Sequence, residues 1–146
     1  MSIVAEQIAN VLGGRRVLGR RVRNMRELDD IVRKGLPKTA LDFFINALGA
    51  LQYGEFAVQL RNKIVPRATY NPVDRFNLQV SETAERMARL YALALDVFDE
   101  PEAAIRFLAN SHPELGNRVP FEVALTEIGG REVEEVIERG LHGLPA

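Results

Sequence analysis

Cysteine does not occur in this chain of 146 residues. Its absence removes disulfides, thiolate metal sites and cysteine nucleophiles together, and fits a reducing cytoplasm. No apolar run approaches the roughly 18 residues that a membrane span needs. The opening "MSIVAEQIANVLGG" has neither a basic region before an apolar stretch nor a small-residue cleavage site, so it does not read as a signal peptide. Histidine is nearly absent: with only His112 and His142, a zinc site would have to lean on carboxylates at unremarkable spacing. Neither "GxxxxGK[ST]" nor "GxGxxG" is found, which leaves no phosphate-cradling loop. Strand signals are weak throughout.

What is present is ordinary for one globular domain, or for two small ones that share a core: 47% hydrophobic and 27% charged residues. The net charge of −1 hides a division. Residues 1–80 carry 13 Lys/Arg against 7 Asp/Glu, whereas residues 81–146 carry 6 against 13. Such asymmetry suggests a separate partner for each half, with a polyanion for the basic one. The alternative is an attraction that holds the two halves to one another.

Periodicity predicts an all-α chain. A short helix is expected over residues 2–12, capped by Ser2, with Val4, Ile8, Val11 and Leu12 on one face and Gly13-Gly14 as its stop. "RRVLGRRVRNMR" follows, then a short helix in "ELDDIVRKG" that ends at Gly35. Leu36-Pro37 is expected to begin a helix that reaches Leu48, with Pro37 in its first turn. Another is expected from Glu55 to Leu60. Pro66 and Pro72 allow at most one or two helical turns between them. From Ser81 a long helix is expected, with Met87, Leu90, Tyr91, Ala94, Leu95 and Phe98 as a continuous apolar stripe.

Asp99 is then expected to cap a helix with Pro101 in its first turn and Glu102 completing a capping box; this helix ends near Asn110. The loop "HPELGNRVPFE" follows, two prolines and a glycine set between helical stretches. A brief helix over residues 121–125 comes next. Gly129-Gly130 should separate it from the last helix, in which Val133, Val136 and Ile137 point inward and Glu132, Glu134, Glu135 and Glu138 face water. The terminal "RGLHGLPA" holds too much glycine and proline to be expected as helix.

No constellation argues for catalysis. Ser2, Ser81 and Ser111 sit at expected caps or turns, the glutamate run reads as a solvated helix face, and His112 reads as an incidental loop residue. Neither an enzyme nor a cofactor is expected. The arginines from Arg15 to Arg26, with Arg33, Lys34 and Lys38, could neutralise several phosphates. Helix, turn and helix over residues 36–75 is also what a helix-turn-helix reader requires.

"DEPEAAIRFLANSHPELGNRVPFEVALTEIGGREVEEVIERGLHG" resembles the C-terminal toxin-binding domain of the Xre/MbcA/ParS antitoxins. The resemblance rests on Asp99, Pro101, Glu102, Phe107, Leu108, Pro113, Leu115, Gly116, Pro120, Glu122, Thr126, Glu127, Gly129, Val133, Glu134, Arg139, Gly140 and Gly143. "ETAERMARLYALALDVF" resembles that family's central helix. Upstream, "GLPKTAL", "GEFAVQL" and "PRATY" are similar to its Xre-like helix-turn-helix, but Asn71-Pro72 stands where adjacent arginines are common.

The arginine cluster marks a basic N-terminal region (1–35), and the resemblance implies a helix-turn-helix-like domain (36–80) and a toxin-binding domain (81–146). It implies a cytoplasmic antitoxin that blocks the NAD pocket of a RES-domain toxin, either NAD-degrading or an ADP-ribosyltransferase. Toxin contacts are expected at Leu115, Gly116, Arg118, Pro120, Glu127, Arg139, Gly140, Leu141, His142 and Gly143. Operator DNA contacts are expected at Arg15, Arg16, Arg20, Arg21, Arg67, Thr69 and Arg75. The partners implied are the cognate toxin, operator DNA, and a second copy of the chain or a hetero-oligomer with toxin. "HPELGNRVPFE" would be a stiff connector, and "RGLHGLPA" a plug for a cleft. Two other readings remain open at this point: a stand-alone helix-turn-helix transcriptional regulator, and a dimerisation or adaptor module that uses part of the Met87–Phe98 stripe.

Overall fold

The computed structural model describes residues 4–141, and among these the chain is all-α. Ten helices follow in order: α1 (Ala5–Val11), α2 (Gly14–Leu18), α3 (Met25–Lys34), α4 (Lys38–Leu48), α5 (Gly54–Ile64), α6 (Arg67–Tyr70), α7 (Leu78–Phe98), α8 (Pro101–Ala109), α9 (Pro120–Val123) and α10 (Glu127–Leu141). A turn over Gly49–Tyr53 joins α4 to α5, and a one-turn 3-10 segment, Pro113–Leu115, lies inside the 112–122 loop.

Helix α7 is the axis of the fold. It packs against α1, α3 and α5 from the first half and α8 and α10 from the second. The expected stripe explains this: Met87, Leu90, Tyr91 and Ala94 are buried, while Leu95 and Phe98 are half-buried. The three segments delimited from sequence therefore contribute to one continuous core running from Ala5 to Ile137. Phe44 of α4 ties the halves, its ring meeting Tyr91 of α7 edge-on at 5.9 Å and Phe121 of α9 at 6.1 Å. Ser81 adds a polar latch. Its hydroxyl accepts from the Leu36 N–H (2.9 Å) and donates to the Phe76 carbonyl (3.3 Å), fully buried.

Several boundaries differ from expectation, each for a local reason. Helix α1 starts at Ala5, where the Gln7 side chain accepts from the Val4 N–H; the expected cap, Ser2, lies outside the described residues. Pro37 is the extended residue before α4 rather than part of its first turn. Helix α5 runs to Ile64, four residues past its expected end, until Val65 turns extended ahead of Pro66. Helix α7 begins at Leu78 because the Asn77 side chain accepts from the Val80 N–H at 2.9 Å.

Asp99 does not cap α8. It takes a left-handed conformation (φ 66°) that closes α7, and the extended Glu100 precedes α8 instead. Gly129-Gly130 does not separate two helices either, for both lie inside α10. They are there for contact: a Cβ on Gly129 would stand 1.8 Å from the Val123 carbonyl oxygen, and one on Gly130 would stand 2.7 Å from Arg86 Cδ. The segment expected to be non-helical from Arg139 onward continues α10 through Leu141.

Few direct ion pairs join the two oppositely charged halves. Among the described residues, the one ion pair that joins them is Lys63 with Glu122 at 2.7 Å. The other pairs stay within a half, as in Arg20 and Arg23 with Glu27, or Arg89 with Glu85 and Glu134.

Candidate functional site: the α10 face and its loop

The corner between α9 and α10 is built from "TEIGG", and every residue in it has an identifiable task. The Thr126 hydroxyl accepts from the Gly129 N–H at 3.0 Å, which caps α10. Buried Arg86 reaches across from α7. It donates to the Ala124 carbonyl at 3.0 Å, the Leu125 carbonyl at 3.3 Å and the Glu127 carboxylate at 3.3 Å. Glu127 also receives Arg131 at 3.3 Å. Burial alone would raise the pKa of Glu127, but hydrogen bonds from Arg131 and Arg86 outweigh it, and the pKa falls below the ordinary carboxylate value. Gly129 lets the backbone of α10 close on Val123. What this framework holds outward is Ile128, 80% exposed in the first turn of α10.

Ile128 and Glu132 are four residues apart, so they share one helical face with Glu135 and Arg139. The 112–118 loop lies along that face. Arg118 pairs with Glu132 at 3.2 Å and Arg139 with Glu114 at 2.6 Å. The loop is also closed on itself. The His112 N–H donates to the Arg118 carbonyl (3.1 Å), the Asn117 N–H to the His112 carbonyl (3.0 Å), and Arg118 Nε to the Leu115 carbonyl (2.7 Å). Left-handed Gly116 and Asn117 form its exposed tip. His112 is not incidental: its Nδ1 accepts from the Glu114 N–H at 3.2 Å, and its ring meets Phe107 edge-on at 5.3 Å. It is a buried cap.

The structure sorts the residues expected to touch a toxin. Gly116, Arg118 and Glu127 are exposed around this surface, and Arg139 and Gly140 are partly so. Leu115 and Pro120 are buried, so their contribution here is to anchor the loop and α9. Leu141 is the last residue of α10, and His142 and Gly143 lie outside the described residues, as does most of the expected plug. Ile128 was missed. An isoleucine beside a glycine pair reads as core, and only the Thr126 cap and the approach of Gly129 to Val123 turn it outward.

The residues expected at DNA lie on α2, the segment after it, α6 and the segment before α7. Arg15 and Arg16 are exposed on α2 without an ion pair among the described residues. Arg20 sits 3.2 Å from Glu27, and Arg21 lies 3.9 Å from Glu6. Glu27 caps this cluster: hydrogen bonds from the Arg23 side chain and backbone hold its carboxyl down to about 2. Arg75 donates to the Gly35 carbonyl at 2.9 Å. Arg67 is exposed and Thr69 half-exposed on α6, which is a single turn. The Tyr70 hydroxyl donates to Asp42, and the Lys38 and Arg61 cations both lie 4.7 Å from its ring centre.

An acidic helix face, a self-locked loop and the exposed Ile128 thus share one side of α10, with α7 behind them. The helical fold and this surface are compatible with the antitoxins of toxin–antitoxin pairs, to which the sequence is similar in this region. Residues 93–143 match the family model of the antitoxin Xre/MbcA/ParS C-terminal toxin-binding domain, about a third of the chain and the whole of this surface. In that domain the chain is similar to the Xre/MbcA/ParS antitoxins. No curated protein matches the sequence. No helix among the described residues is long and apolar enough to cross a membrane.

Proposed function

We propose that this antitoxin neutralises a RES-domain toxin that consumes NAD, and does so by laying the α10 face and the 112–118 loop over the toxin's NAD pocket. The observation that carries the reading is the surface itself. Ile128 stands 80% exposed at one end of an acidic face whose loop is locked before any partner arrives. A site built to hold a dinucleotide presents positive potential, which the net negative second half complements. Pre-locking of the loop by the Glu114–Arg139 and Arg118–Glu132 pairs lowers the ordering lost on binding. The protein acts by occupying a cavity, without catalysis and in the cytoplasm, as one subunit of a hetero-oligomer with its toxin.

Autoregulation through operator DNA is the subordinate part of the proposal. A reading helix needs several side chains in the major groove. Helix α6 offers a single turn, so any DNA contact rests on Arg15, Arg16 and Arg67 as phosphate neutralisers. A stand-alone regulator is correspondingly disfavoured.

The test is competition. A RES-domain toxin is titrated with this protein, with and without a saturating non-hydrolysable NAD analogue. Overlap requires the apparent affinity to fall as analogue concentration rises. An affinity indifferent to the analogue would leave the antitoxin class intact and remove the pocket-covering mechanism.

A further inference from the structure

The chain leaves α10 beside an aromatic groove. Gly140 packs on the end of α7, where a Cβ would stand 3.3 Å from Val97 Cγ1 and 3.8 Å from Phe98 Cε1. One residue earlier, Arg139 holds Glu114 of the loop at 2.6 Å. The end of α10 therefore sits between Phe98 and the 112–118 loop. Phe98 and His112 also bound an open groove of about 310 Å³, and α8 supplies the residues between them. Its lining includes three rings in series: Phe98 lies 5.5 Å from Phe107, and Phe107 lies 5.3 Å from His112, centre to centre. Ala103 adds to the apolar wall, and Phe98, Ala103 and Phe107 are only half-buried, so the row has an open side. The polar groups here are donors. Arg106 is exposed and forms no ion pair among the described residues, and Ser111 carries a hydroxyl. Because His112 Nδ1 accepts from the Glu114 N–H, the ring proton sits on Nε2. Among the described residues no carboxylate lines this groove.

We propose that residues 142–146, "HGLPA", fold back from the end of α10 and seat Leu144 on the Phe98–Phe107 pair. Reach selects this occupant. An extended chain advances about 3.3 Å per residue, so the three residues after Leu141 cover about 10 Å, comparable with the ring row. Gly143 suits the left-handed turn with which helices commonly reverse direction. Leu144 is the bulkiest aliphatic side chain of the segment, and its contact with the rings removes apolar surface on both sides from water. The backbone is complementary as well. Pro145 has no N–H, so carbonyls outnumber donors around Leu144, and Arg106, Ser111 and His112 Nε2 can meet them. A segment tethered this close has an effective concentration that a free peptide of equal chemistry lacks. Seated there, residues 142–146 are withheld from any other cleft until the strap lifts. The inference concerns the protein before it meets a partner, so it stands whatever the class of toxin.

The experiment is nuclear magnetic resonance on the full chain, isotopically labelled. The Leu144 methyl groups should show nuclear Overhauser contacts to ring protons of Phe98 and Phe107, with ring currents moving them upfield of an ordinary leucine. Leu144→Ser should abolish these contacts and shift the amides of Ala103, Phe107 and His112, while the resonances of α1–α5 stay in place and report an intact fold. Ala103→Gln, at a half-buried position of the wall, should remove the same contacts with residues 142–146 unchanged in sequence. Three results overturn the proposal. One is no contact from Leu144 to either ring. Another is a Leu144→Ser spectrum altered only within residues 142–146. The third is contacts that vanish on dilution, which would assign them to the segment of a second copy.

Discussion

Gly129→Ala tests the architecture of the α9–α10 corner, because two effects of opposite sign meet at one methyl group. Within a helix, alanine is favoured over glycine by about 1 kcal/mol, so an unobstructed site would become more stable. Here the added Cβ would stand 1.8 Å from the Val123 carbonyl oxygen, 2.8 Å from its carbon and 2.9 Å from Thr126 Oγ1. Two of these are backbone atoms that no rotamer change can move. Relief requires α10 to withdraw from α9, loosening the Thr126 cap and the Arg86 bonds to Ala124 and Leu125. Overpacking of this kind costs typically about 1–3 kcal/mol, and backbone obstruction places this case at or above the upper end. Set against the propensity gain, the net loss is about 2 kcal/mol, a fall in melting temperature of roughly 4–8 °C for a chain of this size. Gly54→Ala is the internal control. It begins α5 with nothing within 4 Å of its Cβ position, so it should be neutral or stabilising. Urea and thermal denaturation of both variants decide the matter. Equal or increased stability of Gly129→Ala would refute the close approach that aims Ile128 outward.

Other expectations follow from the same geometry. Arg86→Met leaves the Ala124 and Leu125 carbonyls without their donor and should lower stability by about 2–3 kcal/mol in urea denaturation. Ile128→Asp, on a side chain 80% exposed, should change stability by no more than about 0.5 kcal/mol. The same substitution should weaken toxin binding by tenfold or more in a titration, if about 1.4 kcal/mol or more of contact is lost. Glu27, whose folded pKa is held down to about 2 against 4.5 for the free side chain, stabilises the fold above the higher value. That contribution is lost as pH falls from about 4.5 toward 2, so the urea midpoint should drop more steeply over this range in the parent than in Glu27→Gln.

Sequence patterning captured what depends on long-range periodicity and left out what depends on contact. The Met87–Phe98 stripe identified α7, and Gly35 and Asn110 marked helix ends, because amphipathic spacing and capping residues act locally. The 112–122 loop was legible as rigid from its prolines. Its self-closure through His112 and Arg118 was not, since those bonds depend on left-handed turns at Gly116 and Asn117. Asp99 carried the signature of an N-cap, yet the two-residue reversal between α7 and α8 claimed it for the end of α7 instead. Gly129 and Gly130 read as a break, for sequence does not show that Val123 and Arg86 would press against them. That misreading concealed Ile128.

The proposal that the α10 face and its loop close a toxin's NAD pocket is measured most directly by NAD turnover of a RES-domain toxin. Added antitoxin should suppress turnover stoichiometrically, and Ile128→Asp, folded and equally stable, should restore it at the same concentration. Undiminished turnover in the presence of excess parent antitoxin would contradict the account.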